Sequence, residues 1–139
     1  MKLHNVSGSI TADILQAQNA VLISNVNGRT DIATCQTELY KATSVSGNIT
    51  LQKIAVDFFD FSSTSGTIFA ELEQTPLATS GITNISGKSQ LYIPKDSNLT
   101  YKTFSISGKI TNNSIDSTNP EAPQVTISSV SGKIEVREY

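Results

Sequence analysis

The sequence predicts an all-β fold, a right-handed parallel β-helix (β-solenoid) of about seven coils with roughly 20 residues each. The first observation is a motif, polar–aliphatic–Ser–Gly–polar–Ile in its commonest form, that recurs seven times. Its glycines are Gly8, Gly28, Gly47, Gly66, Gly87, Gly108 and Gly132, at spacings of 20, 19, 19, 21, 21 and 24 residues. The second observation is that apolar and polar residues alternate on both sides of each glycine, which is typical of half-buried strands.

The strand after each glycine is predicted from the second and fourth residues that follow it. The second residues are Ile10, Thr30, Ile49, Ile68, Ser89, Ile110 and Ile134, and the fourth are Ala12, Ile32, Leu51, Ala70, Leu91, Asn112 and Val136. Most of them are aliphatic, and the first residue after each glycine is polar. We therefore expect this strand to bury one face.

The strand before each glycine is predicted from the residues seven and five positions upstream, such as Val21 and Ile23. The residues two positions upstream are Val6, Val26, Val45, Thr64, Ile85, Ile106 and Val130, and we expect them to face the interior as well. Because positions five and two differ in parity, the chain has to bend between them. An Asn or Ser lies three positions upstream in every repeat, where its side chain can hydrogen-bond the turning backbone.

The glycine itself shares the parity of the predicted inward residues. A glycine inside a strand costs roughly 0.5–1 kcal/mol relative to alanine, so seven of them need a structural reason. We expect close approach of the opposite wall of the coil, with Tyr40, Phe59, Phe61 and Tyr101 filling the other end of the section. A substitution such as Gly47→Val should then destabilise the fold by several kcal/mol.

Each coil is expected to stack on the preceding one at about 4.8 Å, because stacking explains why equivalent residues recur in the same register. An antiparallel sandwich would explain the alternation but not the register. Two stretches depart from the pattern: Gln74–Gly81 is predicted to be a loose connection and Ile115–Gln124 a long loop. We expect a single repeat domain over residues 1–139, as a piece of a longer protein.

The composition excludes several classes of function. The net charge is −2 and the basic residues are scattered along the chain, so we expect neither a local basic patch nor nucleic-acid binding. The single cysteine, Cys35, rules out an intrachain disulfide and a cysteine-based metal cluster. No apolar run approaches the length of a membrane span, so direct membrane insertion by this segment is not expected.

Few residues suggest chemistry, and the sequence predicts no catalytic, cofactor-binding or metal-binding residue and no cofactor. His4 is the only histidine and stands outside the motif, while Cys35 lies in a predicted turn without an activating base. Asp57 and Asp60 are interpreted as residues of a solvated turn. The ligand-binding residues stay unknown. Phe69, Tyr92 and Phe104 have outward parity and are candidates for an aromatic patch, but they lie in different columns, so scattered surface aromatics are an equal alternative.

The Ser-Gly-x-Ile series resembles the bacterial putative-adhesin family of unknown function, whose members are single-chain β-solenoids. The segments that carry the likeness are SVSGNITL at 44–51, LYIPKDSNLTYKTFSISGKIT at 91–111 and SVSGKIEV at 129–136. The resemblance implies a location at the cell envelope or outside the cell, with a membrane-anchored parent protein; a cytoplasmic location stays an alternative. The family has no established catalytic residues to transfer.

We therefore expect a non-enzymatic structural or interaction module of a bacterial cell-envelope protein, binding an unknown protein or glycan at the cell surface. One alternative is a self-assembling scaffold in which open coil ends associate, since no capping helix is predicted at either end. A second alternative is a carbohydrate-active β-helix enzyme. Dependence of light scattering on concentration and analysis of glycan products would separate these alternatives.

Overall fold

The structure is a computed structural model that describes residues 1–95, 98–112 and 121–139. None of these residues lies in an α-helix, and all the strands pair in parallel within one sheet. The strands are β1 Lys2–Asn5, β2 Ser9–Ala12, β3 Leu15–Gln16, β4 Ala20–Asn25, β5 Arg29–Ile32, β6 Cys35–Ser44, β7 Asn48–Ser63, β8 Thr67–Leu72, β9 Ser80–Asn84, β10 Lys88–Ile93, β11 Thr100–Ser105, β12 Lys109–Asn112, β13 Gln124–Ser129 and β14 Lys133–Glu138. The predicted all-β parallel solenoid is thus confirmed.

Each coil is named here by its motif glycine and has two long walls. Wall A is the strand that ends three residues before the glycine, and wall B is the strand that begins just after it, as in β4 and β5. The early coils also have a short wall C, formed by β3 and by residues 35–37 and 54–56, which pair in register. Strand β7 runs through all three walls, and its bend from wall B to wall C falls at Lys53, whose φ is +45°.

The fold has about six turns, close to the seven coils expected from the motif count. The difference is one of definition, because seven motif corners along one chain enclose six complete revolutions between them. Equivalent residues lie side by side throughout: Asn25 pairs with Asn5 and Ser44, and Ile49 pairs with Thr30 and Ile68. The predicted register is therefore confirmed.

The order of the coils differs from the expectation that each stacks on the preceding one. Strand β14 lies between β10 and β12, and β13 lies between β9 and β11. The Gly132 coil is therefore inserted between the Gly87 and Gly108 coils, and the Gly108 coil ends the stack. The prediction was wrong for these last two coils because every coil presents the same backbone edge, so either one can pair with the Gly87 coil.

The core consists of stacked apolar columns from walls A and B. Most residues at the predicted inward positions are buried, and Phe59 and Phe61 stack with ring centroids 4.9 Å apart while Tyr40 meets Phe61 edge-on at 5.8 Å. In the end coil Thr103 is exposed, because no further coil covers it. The outermost coils thus carry less of the buried surface that stabilises the fold.

The residues two positions before each glycine face outward, contrary to expectation. Six of them are exposed, and the five aliphatic ones among these have relative accessibilities between 44% and 69%. These five residues are Val6, Val45, Ile85, Ile106 and Val130. The bend falls between the Asn or Ser and the glycine, and both residues in between point to solvent, which restores inward parity for wall B. The result is an aliphatic ridge along the corner between walls A and B.

The Asn or Ser three positions before the glycine is buried in most coils and closes the corner with hydrogen bonds, as predicted. Asn25 donates from Nδ2 to the Gly28 carbonyl oxygen at 2.7 Å and accepts from the Gly28 N–H at 2.9 Å. Ser44 and Ser129 donate to the carbonyls of Gly47 and Gly132 at 2.7 and 2.9 Å. Polar groups that would be costly inside the core are thereby paired.

The motif glycines lie in a single column along the rod. Glycine is required at this position because neighbouring coils approach each other closely there. A Cβ atom at Gly28, Gly47, Gly66, Gly87, Gly108 or Gly132 would lie well inside 3.0 Å of a backbone oxygen of the neighbouring coil's glycine. None of the described glycines has a positive φ. The expected contact with the opposite wall was wrong, since the crowding comes from the adjacent coil along the rod axis.

The connection predicted at Gln74–Gly81 is shorter than expected, because Ser80 and Gly81 already belong to β9. The Leu77 and Ala78 N–H groups both donate to the Asp57 carbonyl at 2.9 Å, which fixes this connection to β7. Most of the loop predicted at Ile115–Gln124 lies outside the described residues. No helix in the described part of the chain could cross a membrane.

Candidate functional site

The structure separates the residues that sequence analysis weighed for catalysis. His4 lies on β1 in the first coil, with its side chain exposed. Cys35 was expected in a turn but begins β6 on wall C, where it is 0% exposed and stacks between Leu15 and Ile54. Burial raises the pKa of the Cys35 thiol to about 12, so the thiol is protonated and unreactive at neutral pH.

The two aspartates near the Phe58–Phe61 run do not lie in one site. Asp57 borders a shallow cleft of about 570 Å³ together with Glu38 and four glutamines, and Asp60 does not line this cleft. Asp60 lies on the outer surface of wall A, 4.0 Å from the ammonium of Lys41. Both belong to β7 rather than to the predicted turn. Among the described residues, no three His, Cys, Asp or Glu side chains are grouped to hold a metal ion.

Two of the three outward aromatic residues come together on wall B. The rings of Phe69 on β8 and Tyr92 on β10 lie 5.3 Å apart at an angle of 44°, and both side chains are half-buried. Phe104 is 61% exposed and lies on wall A of the end coil. The hypothesis of an aromatic patch therefore holds for the pair Phe69 and Tyr92 and fails for Phe104.

Three lysines form a column at the start of wall B in the last three coils of the stack. Lys133 pairs in register with Lys88 on one side and with Lys109 on the other. Neighbouring parallel strands lie about 4.8 Å apart, so the three side chains leave the wall side by side. This lysine column (Lys88, Lys133 and Lys109) contradicts the expectation that no local basic patch exists. The patch exists because positions 45 and 24 residues apart in sequence become neighbours in the stack.

The lysine column borders a shallow groove of about 580 Å³ that runs along the corner between walls A and B. The groove is lined by the lysine column, by the motif glycines and serines of the same three coils, and by Ser65 and Thr67. The serine hydroxyls are fixed, since Ser86, Ser131 and Ser107 donate to carbonyls of the neighbouring coil at 3.0, 3.2 and 3.1 Å. The groove thus has a rigid polar side and a cationic side.

A carboxylate whose charge is compensated by its neighbours lies two residues after Lys133 on wall B. Glu135 on β14 is almost fully buried, accepts a hydrogen bond from Gln90 at 3.3 Å and forms an ion pair with Arg137. The hydrogen bond from Gln90 and the nearby charges of Arg137 and Lys133 lower the pKa of Glu135. Its charge is thereby largely compensated within the wall.

The lysine column was not predicted, although the sequence contains a signal for it. Lysine follows the motif glycine directly in each of the last three repeats and in none of the first four. Once the register is known, identical residues at one repeat position become a column on the surface. The insertion of the Gly132 coil changes the order within the column but not its members.

The chain was compared with known protein families, curated proteins and solved structures. No protein-family model and no curated protein matches the sequence. The fold is similar to the crystal structure of a "putative cell adhesion protein" from Clostridium sporogenes, with a TM-score of 0.59 at 9% sequence identity. The likeness covers 99% of this chain and 93% of that chain. The expected resemblance to adhesin-type solenoids is thereby confirmed at the level of the fold.

Proposed function

We propose that this chain is a non-enzymatic interaction module of a bacterial cell-envelope protein, adhesin-like in its role. The observation that carries the proposal is the contact of Phe69 and Tyr92 on the outer surface of wall B. Strands on a stacked wall are held in place by backbone pairing on both sides. Little conformational entropy of the protein is therefore lost when a ligand binds to their side chains. Half-buried aromatic rings flanked by polar side chains are a common platform for sugars and for protein partners.

The likeness in fold to a protein described as a putative cell adhesion protein supports the same role. A location at the cell envelope or outside the cell follows from this proposal. The shape of the molecule also supports it, because a solenoid offers long continuous faces to an extended partner.

The placement of the titratable side chains supports a binding role rather than catalysis. A general base and a nucleophile need hydrogen-bond contact with each other, but His4 lies in the first coil on wall A and Cys35 is buried in wall C. Two carboxylates that cleave a glycosidic bond have to flank one substrate, and Asp57 and Asp60 do not share a cleft. These positions argue against the alternative of a carbohydrate-active enzyme.

A glycan array combined with product analysis tests this proposal. The protein should retain one class of glycan without releasing shorter products, and Phe69→Ala or Tyr92→Ala should weaken retention by about tenfold through loss of the ring surface. Phe104→Ala removes an exposed ring from wall A and serves as the matched control. Release of products would favour the enzyme, and equal effects of all three variants would contradict the assignment to wall B.

The self-assembling scaffold stays a second candidate because, among the described residues, both ends of the stack have edge strands that pair on one side only. These are β1, β2 and β3 at one end and β11 and β12 at the other. In-register stacking of two molecules would place Lys102 of one beside Lys2 of the other, since both lie six residues before a motif glycine. Such like-charge neighbours are destabilising, which ranks the scaffold below the binding module.

Light scattering between low and high protein concentration measures association of the ends directly. A constant molecular mass is expected at low salt. If mass grows with concentration, and grows further when salt screens the charges of Lys2 and Lys102, the scaffold is the better description.

A further inference from the structure

We propose that the ligand of wall B is an acidic glycan that lies along the rod axis, with its anionic groups paired to the lysine column. This inference rests on the proposed binding function and names the class of ligand. It starts from a juxtaposition: three in-register lysines border a groove whose other side is a row of fixed serine hydroxyls.

The first step is the repulsion within the lysine column. Lys133 has a lysine as its direct neighbour on both sides, and like charges at directly opposite positions destabilise a sheet. Outward positions tolerate many polar residues, as Ser9, Asn48 and Thr67 at the same repeat position show. An anionic ligand would relieve this repulsion on binding, because its charge is attracted by all three ammonium groups at once.

The second step is that no carboxylate among the described residues forms an ion pair with the lysine column. In the described part of the chain, ion pairs join Arg29 to Asp31, Lys41 to Asp60 and Arg137 to Glu135, and none includes a lysine of the column. The carboxylate that interacts with the column is Glu135, whose side chain is engaged by Arg137 and Gln90. Within the described ranges, the column is therefore a cationic strip whose three ammonium groups have no ion-pair partner.

The spacing of the lysines along the rod indicates the shape of the ligand. Charges that repeat along the rod at the spacing of one coil suit a chain that repeats at a similar distance, as the sugar units of an extended polysaccharide do. Tyr92 lies four residues after Lys88 on β10 and faces the same side, about 13 Å across wall B at about 3.3 Å per residue, so its ring borders the lysine column without contacting the same sugar unit. Gln90 lies between them and adds a polar side chain.

The charge of the whole molecule favours a glycan over a nucleic acid. The chain has a net charge of −2, and the column is confined to three coils, whereas nucleic-acid binding draws on an extended basic surface. An acidic polysaccharide has a lower density of charge and offers hydroxyl groups to the serine side of the groove.

The test measures binding of alginate and of heparin, as carboxylate-bearing and sulfate-bearing probes, by the full chain. Dextran, oligo-dT and phosphatidylglycerol vesicles are tested in parallel. The variant K88Q/K109Q/K133Q should weaken binding of the acidic glycan by about tenfold, since each exposed charge pair contributes about half a kcal/mol. The variant K2Q/K41Q/K102Q removes the same charge from wall A and should bind like the unchanged protein.

Binding of alginate or heparin that is lost only in the K88Q/K109Q/K133Q variant, and that weakens with added salt, supports the proposal. It is overturned if neither probe binds, if both triple variants lose binding equally, or if oligo-dT or the vesicles bind more tightly. The proposed function is judged separately: a neutral glycan retained through Phe69 and Tyr92 would preserve the interaction module while refuting an acidic ligand. Circular dichroism of each variant confirms that the fold is unchanged.

Discussion

The glycine file makes a sharp prediction for the single substitution Gly47→Ala. A Cβ atom at Gly47 would crowd the Gly28 carbonyl and would lie 2.6 Å from Nδ2 and 2.9 Å from Cγ of Asn25. Ordinary van der Waals contact begins at 3.4 Å, so the two coils or the Asn25 amide have to move. The Asn25 amide cannot move freely, because it donates to the carbonyls of Gly28 and Asn48 at 2.7 and 3.3 Å.

The cost follows from these contacts. Overpacking costs about 1–3 kcal/mol, and each buried hydrogen bond that is weakened costs about 1 kcal/mol. The corner bonds at risk include the Asn48 N–H to the Gly28 carbonyl at 3.1 Å. We expect Gly47→Ala to lower the free energy of unfolding by about 3–5 kcal/mol, a large share of the 5–15 kcal/mol typical of a domain.

Urea denaturation followed by far-UV circular dichroism measures this loss, and two glycines of the same chain provide matched controls. A Cβ at Gly8 would meet its nearest atom at 3.5 Å, and one at Gly81 at 3.6 Å. Gly8→Ala should be nearly neutral, and Gly81→Ala in β9 should be neutral or stabilising by about 0.5–1 kcal/mol. If Gly47→Ala were as stable as the Gly8→Ala control, close stacking of the corners would be refuted.

Three further predictions concern side chains and backbone of the first coils. Tyr40→Phe removes a buried hydroxyl that has no hydrogen-bond partner, and should raise stability by about 1 kcal/mol in urea; a loss of that size would show that the hydroxyl is paired. Burial raises the pKa of Cys35 from 9.0 to about 12, so as the pH rises the thiol ionises in the unfolded chain before it ionises in the folded protein. Stability should therefore be intact below about pH 9 and fall between about pH 9 and 12, by up to about 4 kcal/mol. Denaturation of Cys35→Ala across the same pH range should lack this part of the fall, and an identical fall would contradict the assignment. Lys53→Gly relieves a left-handed backbone conformation and should raise the melting temperature through a gain of about 0.5–1 kcal/mol; a lower melting temperature would show that the Lys53 side chain stabilises the bend.

The architecture could be predicted from the sequence because the motif repeats at one register. Residues such as Ile49 and Leu51 alternate with polar residues, and the same alternation in every repeat indicates a shared inward face. The corner hydrogen bonds of Asn25 and Ser44 were also predictable, since short polar side chains before a glycine favour local backbone contacts.

The direction of the residues two positions before each glycine could not be predicted from parity. Val6 and Val45 are aliphatic, and parity cannot show whether the bend takes up one outward residue or two.

The order of the last coils and the contact of Phe69 with Tyr92 also could not be predicted from the sequence. The Gly87, Gly108 and Gly132 motifs each offer the same corner, so local pattern does not rank their pairings. The lysine column could have been predicted, because Lys88, Lys109 and Lys133 occupy the same position in their repeats. The basic residues were interpreted as scattered because they were counted along the chain and not by repeat position.

Disulfide trapping tests the in-register stack and its coil order most directly. The side chains of Ser86, Ser131 and Ser107 occupy one repeat position on the exposed corner, and the structure places Ser131 between the other two. Directly stacked positions lie about 4.8 Å apart, within the Cα range of a disulfide, whereas positions two coils apart lie beyond it. In a Cys35→Ala background, the pairs S86C/S131C and S107C/S131C should therefore crosslink readily on mild oxidation, and S86C/S107C should not. Rapid crosslinking of S86C/S107C with none in the other two pairs would contradict the account.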